Sequence, residues 1–269
     1  MAEKKTKAKK TRKKRGPNQV YLYSMNGKTS GVLDLPNVFF EDIRTDLMRR
    51  AVLAARENRR QSYGPGEGAG MRHAVSTWGK GRGVARVQRL TDSRRAAQSP
   101  GTVGGRRAHP PRPWKDWSMK INRKERIKAR NSALSATRDS EVVSNRGHRF
   151  DTKLTLPVVI EDDVENLEKT QEAIDFLQNL GVYEDIERAR DGKKVRAGRG
   201  KMRGRRYKSP KSFLFVILDP IARGKAFRNL PGVDIVSPQG LNTEMLAPGG
   251  DPGRLTLFSA KAFEELRKW

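Results

Sequence analysis

The residues best equipped for chemistry are arginines, glycines and flat aromatic rings crowded between Arg59 and Trp117. This stretch supplies Arg59, Arg60, Arg72, Lys80, Arg82, Arg86, Arg89, Arg94, Arg95, Arg106, Arg107, Arg112 and Lys115 against Glu67, Asp92 and Asp116 only. An arginine fork bridges two phosphate oxygens or lies flat on a base, and it is less tightly hydrated than a lysine ammonium. Tyr63, Trp78, Trp114 and Trp117 are interleaved, so every tryptophan except Trp269 falls here. Such rings stack on unpaired bases. Glycines recur at Gly64, Gly66, Gly68, Gly70, Gly79, Gly81, Gly83, Gly101, Gly104 and Gly105, which lets the backbone pass close to another polymer. The chemistry is recognition of a polyanion.

A second run repeats it, with Lys193, Lys194, Arg196, Arg199, Lys201, Arg203, Arg205, Arg206, Lys208 and Lys211 punctuated by Gly198, Gly200 and Gly204. Solvated faces normally mix charges, whereas these segments are almost free of acids. Neither has enough apolar surface to offset the entropy of ordering itself, so both are expected to order on a partner. RNA suits them better than duplex DNA, because an irregular strand has no regular groove to fill, while folded RNA offers crevices, splayed bases and 2′-hydroxyls.

Signals for catalysis are poor. Gly79-Lys80 fails the phosphate-loop pattern, since Ala74 replaces its first glycine and Gly81 follows the lysine instead of Ser or Thr. Gly64-Pro65-Gly66 lacks the third dinucleotide-fold glycine, with Ala69 in its place. His73, His109 and His148 lie in basic or polar segments with no carboxylate or second histidine at ligand spacing, and read as hydrogen-bonding or stacking residues. Glu161, Asp162, Asp163 and Glu165 could hold Mg²⁺, but acids at a helix start are stabilised by its dipole, and that reading is preferred. Asp219 before Pro220 is first a turn residue. No catalytic residue, metal ligand or cofactor is assigned.

The elements that must position the basic segments follow from periodicity. Residues 19–25 read as a strand before the turn Asn26-Gly27. Phe40, Ile43, Leu47, Ala51 and Ala54 predict a helix over 45–60, and Asn122 with Glu125 predicts a capping box opening a helix over 123–138. These two helices hold the ends of the first basic loop, expected over 63–117. A fully extended limb gives it a reach on the order of 80 Å.

A polar link runs through His148, and 154–160 reads as a strand interrupted by Pro157. The acids from Glu161 open a helix carrying Val164, Leu167, Ile174, Leu177 and Leu180, closed by Gly181 in a left-handed cap. Another helix over 183–190 leads to the second basic loop, expected over 191–211. Phe213 to Leu218 is apolar without alternation, the pattern of a strand buried on both faces. A short helix near Lys225, a strand over 233–236, a helix over 243–246, a strand over 255–258 and a helix from Ala260 complete an alternating order. The expectation is an α/β domain over 18–269 with a mostly parallel sheet covered by helices on both faces, preceded by a basic flexible tail over 1–17.

Composition agrees: 57 Lys+Arg oppose 30 Asp+Glu for a formal charge of +27, the balance of a nucleic-acid partner. A membrane partner is disfavoured, because there is no long apolar run, no signal-peptide pattern and no basic amphipathic helix with a broad apolar face. The absence of cysteine removes disulfides and thiolate sites and is compatible with a reducing interior. No homo-oligomer is expected.

Tyr21-Leu-Tyr-Ser-Met-Asn-Gly-Lys-Thr-Ser-Gly31, Leu47-Met-Arg-Arg-Ala-Val-Leu-Ala-Ala55, Trp78-Gly-Lys-Gly-Arg-Gly-Val-Ala-Arg86, Gly104-Gly-Arg-Arg-Ala-His-Pro-Pro111 and Leu246-Ala-Pro-Gly-Gly-Asp-Pro-Gly-Arg-Leu255 resemble the archaeal and eukaryotic type of the universal fourth protein family of the large ribosomal subunit. Eukaryotic members usually carry a long basic C-terminal extension, so a chain ending at Trp269 resembles the archaeal form; the basic start departs from the family's usual short one. The resemblance implies a cytoplasmic, non-enzymatic ribosomal protein whose partners are large-subunit ribosomal RNA, neighbouring large-subunit proteins and the nascent peptide. It implies that the turn of Trp78, Lys80, Gly81, Arg82 and Gly83 lies near the constriction of the peptide exit tunnel, and that Arg86, Arg106, Arg107 and His109 belong to limbs that thread RNA. The alternatives are a regulator binding messenger RNA or DNA outside the ribosome, as some family members do with their own operon, and a nucleic-acid enzyme using the acids of 161–165.

Overall fold

The structure, a computed structural model, describes residues 15–269, so most of the tail expected over 1–17 lies outside the described residues. The chain divides into two compact units, one formed by residues up to Ala55 together with Lys120–Trp269, the other by Arg56–Met119. In chain order the elements are β1 (Gln19–Tyr23), β2 (Thr29–Asp34), α1 (Thr45–Glu57), β3 (Val75–Ser76), β4 (Arg89–Leu90), α2 (Arg123–Ala136), α3 (Ser140–Asn145) and β5 (Val158–Ile160). Then follow α4 (Thr170–Leu180), α5 (Tyr183–Asp191), β6 (Lys194–Val195), β7 (Tyr207–Lys208), β8 (Leu214–Val216), β9 (Asp234–Val236), α6 (Thr243–Leu246), β10 (Thr256–Ser259) and α7 (Ala260–Glu265).

Six strands of the first unit form one sheet in the order β2-β1-β5-β10-β8-β9. The β1–β2 pair is antiparallel and the other four pairings are parallel, giving a mostly parallel α/β sheet. Because successive side chains of a strand point to opposite faces, the unbroken apolar run after Ser212 serves two cores at once. Phe213, Phe215 and Ile217 pack with Phe176, Leu177, Leu180 and Ile186 of α4 and α5. Leu214 and Val216 pack with Met48, Leu134 and Phe263 of α1, α2 and α7. All of these residues are buried, which is why the sequence shows no alternation. Phe215 meets Phe227 edge-on with ring centroids 5.0 Å apart, and Phe258 meets Phe39 at 6.1 Å and 84°. Such crossed rings suit the aromatic quadrupole.

Arg254, just before β10, is fully buried, where an unpaired charge would be ruinous. Its guanidinium donates to the carbonyls of Ser212, Met245, Phe213 and Gly232, and Nη2 lies 2.7 Å from Asp234 Oδ2. One side chain thereby ties three segments together.

Several boundaries differ from expectation. Strand β2 was not expected: the Asn26-Gly27 turn returns the chain antiparallel along β1, and Thr29–Asp34 lacks the strong apolar alternation that marks a strand. Strand β5 starts only after Pro157, which has no N–H for a ladder. The helix expected from the acids at 161 is two elements, a 3₁₀ turn over Asp162–Asn166 and then α4, although Gly181 does cap α4 with φ of 81°. The segment expected as a polar link contains α3, capped by the Asp139 carboxylate accepting from Glu141 N–H. Asn122 is the N-cap of α2, but its side chain makes no capping hydrogen bond, so the capping box is not formed.

The turn between β1 and β2 shows why glycine is needed there. Gly27 has φ of +69°, and a Cβ built on it would lie 2.4 Å from the Asn179 carbonyl oxygen near the end of α4. Backbone crowding and left-handed strain act together. Gly27→Ala is expected to lower stability by about 1–3 kcal/mol. Urea denaturation checks this, and a midpoint within error of the parent counts against the close approach.

Candidate nucleic-acid interface

The unit Arg56–Met119 begins and ends on one pair of hydrogen bonds. Met119 N–H donates to Asn58 Oδ1 at 2.7 Å, and Asn58 Nδ2 donates back to the Met119 carbonyl at 3.3 Å. The amide side chain thus acts as a one-residue strand partner joining the two limbs. Just inside it, Arg60 stacks over the Trp117 ring at 4.0 Å, Lys115 Nζ lies 4.3 Å from the same ring, and Tyr63 stacks on it at 5.6 Å and 16°. Arg60 also donates to Glu57 at 2.6 Å. Trp117, expected as a base-stacking ring, is therefore taken up by its own neighbours. Trp114 is 59% exposed and remains a stacking surface, with Arg112 at 5.5 Å.

Further along, the limbs approach so closely at Gly64 that a Cβ there would lie 2.6 Å from the Pro111 oxygen and 2.8 Å from Pro113 N. Gln98, held at φ of 61°, donates through Nε2 to the carbonyls of Met71 at 2.7 Å and His73 at 3.1 Å. Strands β3 and β4 pair Val75 with Leu90 and Ser76 with Arg89. Arg89 then reaches both the Arg94 carbonyl at 2.7 Å and the Trp78 ring at 5.2 Å. Between these strands, Gly79, Gly81 and Gly83 all have positive φ, and space around each is open.

Ala97 is the one buried residue of Arg56–Met119. Arg59, Arg60, Tyr63, Arg72, Lys80, Arg82, Arg86, Arg94, Arg95, Arg107, His109 and Arg112 are exposed, while Trp78, Arg89 and Arg106 are half-buried. Hydrogen bonds of the backbone and stacked cations hold this unit where a hydrophobic core would in others. Its surface offers guanidiniums at high density, the arrangement that exchanges counterions for phosphate contacts.

The second basic segment belongs to the sheet unit and is a short antiparallel hairpin. Strands β6 and β7 pair Lys194 with Lys208 and Val195 with Tyr207. Arg196 donates from its backbone to the Arg206 carbonyl at 2.8 Å and from Nε to the Arg205 carbonyl at 3.0 Å, leaving it half-buried. Lys193, Lys194, Arg199, Lys201, Arg203, Arg205 and Arg206 stay exposed. Alternation across a two-residue ladder is too short to register in the sequence, and the same holds for β3 and β4.

The acids near β5 turn to other work. Glu165, 1% exposed, is 3.0 Å from Arg223, and Asp162 accepts from the Lys261 backbone at 3.1 Å. His148 is buried and its Nδ1 meets both oxygens of Asp185 at 3.1 Å, a partner that sequence spacing did not place beside it. Among the described residues no cluster of His, Asp or Glu is arranged to hold a metal, and no helix is long and apolar enough to cross a membrane.

Comparison with known proteins places these features in a family. A sequence model described as the Ribosomal protein L4/L1 family matches residues 33–269. The chain is 50% identical over 93% of its length to the large ribosomal subunit protein uL4 of Thermoplasma acidophilum, covering 98% of that protein. It is 48% identical to the protein of the same name from Halobacterium salinarum and 46% identical to that of Archaeoglobus fulgidus, in each case over 92% of this chain and 98% of the relative. The protein therefore belongs to the Ribosomal protein L4/L1 family, in its archaeal form.

Proposed function

We propose that the chain is a structural, non-catalytic constituent of the large ribosomal subunit that binds large-subunit ribosomal RNA and helps its helices pack. The observation that carries the reading is a unit, Arg56–Met119, that buries one residue while presenting arginines on nearly every turn of its surface. Relatives named as large-subunit proteins support it. In this reading 18–269 is one α/β domain from which 63–117 and 191–211 leave as RNA-binding excursions, the tip around Trp78, Lys80, Gly81, Arg82 and Gly83 lines the peptide exit tunnel beside the nascent chain, and neighbouring large-subunit proteins touch the sheet unit. Its place in the cell is the cytoplasmic ribosome.

The chemistry is charge neutralisation. Where RNA helices crowd, arginine forks replace condensed counterions and hold phosphates at fixed spacing. If the unit meets about ten phosphates, the logarithm of affinity falls against the logarithm of salt with a slope near −9 for duplex and about −7 for single strands. The expected result is co-sedimentation with large subunits from lysate and a steep slope for purified RNA. A complex indifferent to salt, or a protein that sediments apart from subunits, overturns the reading.

A further inference from the structure

The first half of α2 carries a basic face that lies outside both arginine-rich segments. Arg123, Arg126 and Arg130 are spaced three and four apart, so they stack along one side of the helix. All three line a groove of about 570 Å³. Ala51 and Ala55 of α1 also line it, and their small side chains leave it open; Leu241 to Glu244, leading into α6, lines it as well. Glu244 is the one carboxylate among the lining residues, against three guanidiniums. Glu125, the acid within α2, instead faces Arg50 at 3.5 Å.

Arg130 is built in rather than waving in solvent. Its guanidinium lies 3.6 Å from the Trp269 ring centroid, and its Nε is buried without a hydrogen-bond partner. Burial holds its pKa below the ordinary guanidinium value, and the like charge of Arg126 adds to this. The ring face beneath the guanidinium fixes its position but supplies no formal negative charge to balance it.

We propose that this groove is a further phosphate-binding site, gripping the sugar–phosphate backbone of ribosomal RNA independently of the two basic excursions. The proposal rests on the ribosomal reading above and names a surface that the reading did not contain. Arg123 and Arg130 are separated by about 10 Å along the helix axis. Three forks distributed over that length match a repeating anion better than the isolated carboxylate of a protein side chain.

The test uses the full chain and large-subunit RNA. Arg123 and Arg126 are exposed, so the double variant Arg123→Gln/Arg126→Gln keeps the packing of Arg130 on Trp269. The salt slope is expected to become shallower by about two, with affinity falling about tenfold or more near 0.15 M salt. One patch of hydroxyl-radical protection on the RNA disappears while the others persist, and lysine at both positions restores the slope. If the parent binds RNA with a steep slope and the double variant keeps both slope and footprint, the groove is not a phosphate site although the ribosomal reading stands. If the variant instead loses a cross-link to an acidic protein with RNA binding unchanged, the partner class is wrong. A parent that fails to bind RNA overturns the ribosomal reading and this site with it.

Discussion

Replacing residues 60–117 with a short glycine linker is expected to leave the sheet unit folded and to weaken binding to large-subunit RNA by about a thousandfold at physiological salt. The two halves of this expectation have separate grounds. Folding survives because Asn58 and Met119 are hydrogen-bonded to each other, so a short linker spans the gap, and because both hydrophobic cores are built from residues outside Arg56–Met119. Binding fails because the excised segment carries eight exposed arginines, Arg60, Arg72, Arg82, Arg86, Arg94, Arg95, Arg107 and Arg112, and each lost phosphate contact removes its released counterion. Circular dichroism and a melting curve report on the first half; filter binding across a salt series reports on the second. A linker variant that unfolds would show that the sheet unit leans on the arm. Retained affinity would show that the arm is not the anchor.

Asp185→Ala is expected to cost about 3–5 kcal/mol of folding stability. Asp185 is fully buried and accepts from His148 Nδ1, the Arg149 backbone at 3.2 Å, Arg188 Nε at 2.9 Å and Ser212 Oγ at 2.8 Å. Burial alone pushes this carboxyl upward, but hydrogen bonds from His148, Arg188 and Ser212, with the charge of His148 once protonated, outweigh it and hold the pKa at about 2. A folded-state pKa depressed below the unfolded 3.8 contributes stability above pH 3.8 and loses it as pH falls toward 2, to the extent of about 2 kcal/mol. Burial, ahead of the opposing hydrogen bond that His148 donates to Asp185, holds His148 below its ordinary 6.5. Its contribution is complete above pH 6.5 and declines below it, since the unfolded chain takes up the proton first. Urea midpoints measured from pH 7 to pH 2 should fall in these two stages in the parent. The alanine variant should start lower and show a smaller acid stage, the remainder coming from carboxylates such as Asp234 that Arg254 and Lys211 also hold low, and a pH profile parallel to the parent's would refute the assignment.

The sequence made the framework readable where one physical signal dominated. The run from Phe213 to Leu218 announced a strand buried on both faces, and Gly181 announced the left-handed end of α4. It was silent where partners come from afar. His148 looked like a loop residue because its carboxylate is thirty-seven positions away. Strand β2 pairs through its backbone and has little apolar pattern of its own. In the basic unit, composition pointed to a polyanion as partner, but Asn58, Gln98 and the stack on Trp117 hold the backbone through contacts that no spacing rule encodes. Arg123, Arg126 and Arg130 of α2 stand three and four apart in the sequence, but nothing in that spacing shows the groove they line.

Strand β10 is the last strand to be made, yet it occupies the middle of the sheet, between β5 and β8. Until it arrives those two strands expose unpaired edges and greasy faces, and the carbonyls gathered by Arg254 have no donor. Biosynthesis is therefore a race between completing the C-terminal segment and sticking to other chains. A product cut short before β10 lacks the centre of its sheet, so translational pausing just before Thr256 is a moment of high aggregation hazard.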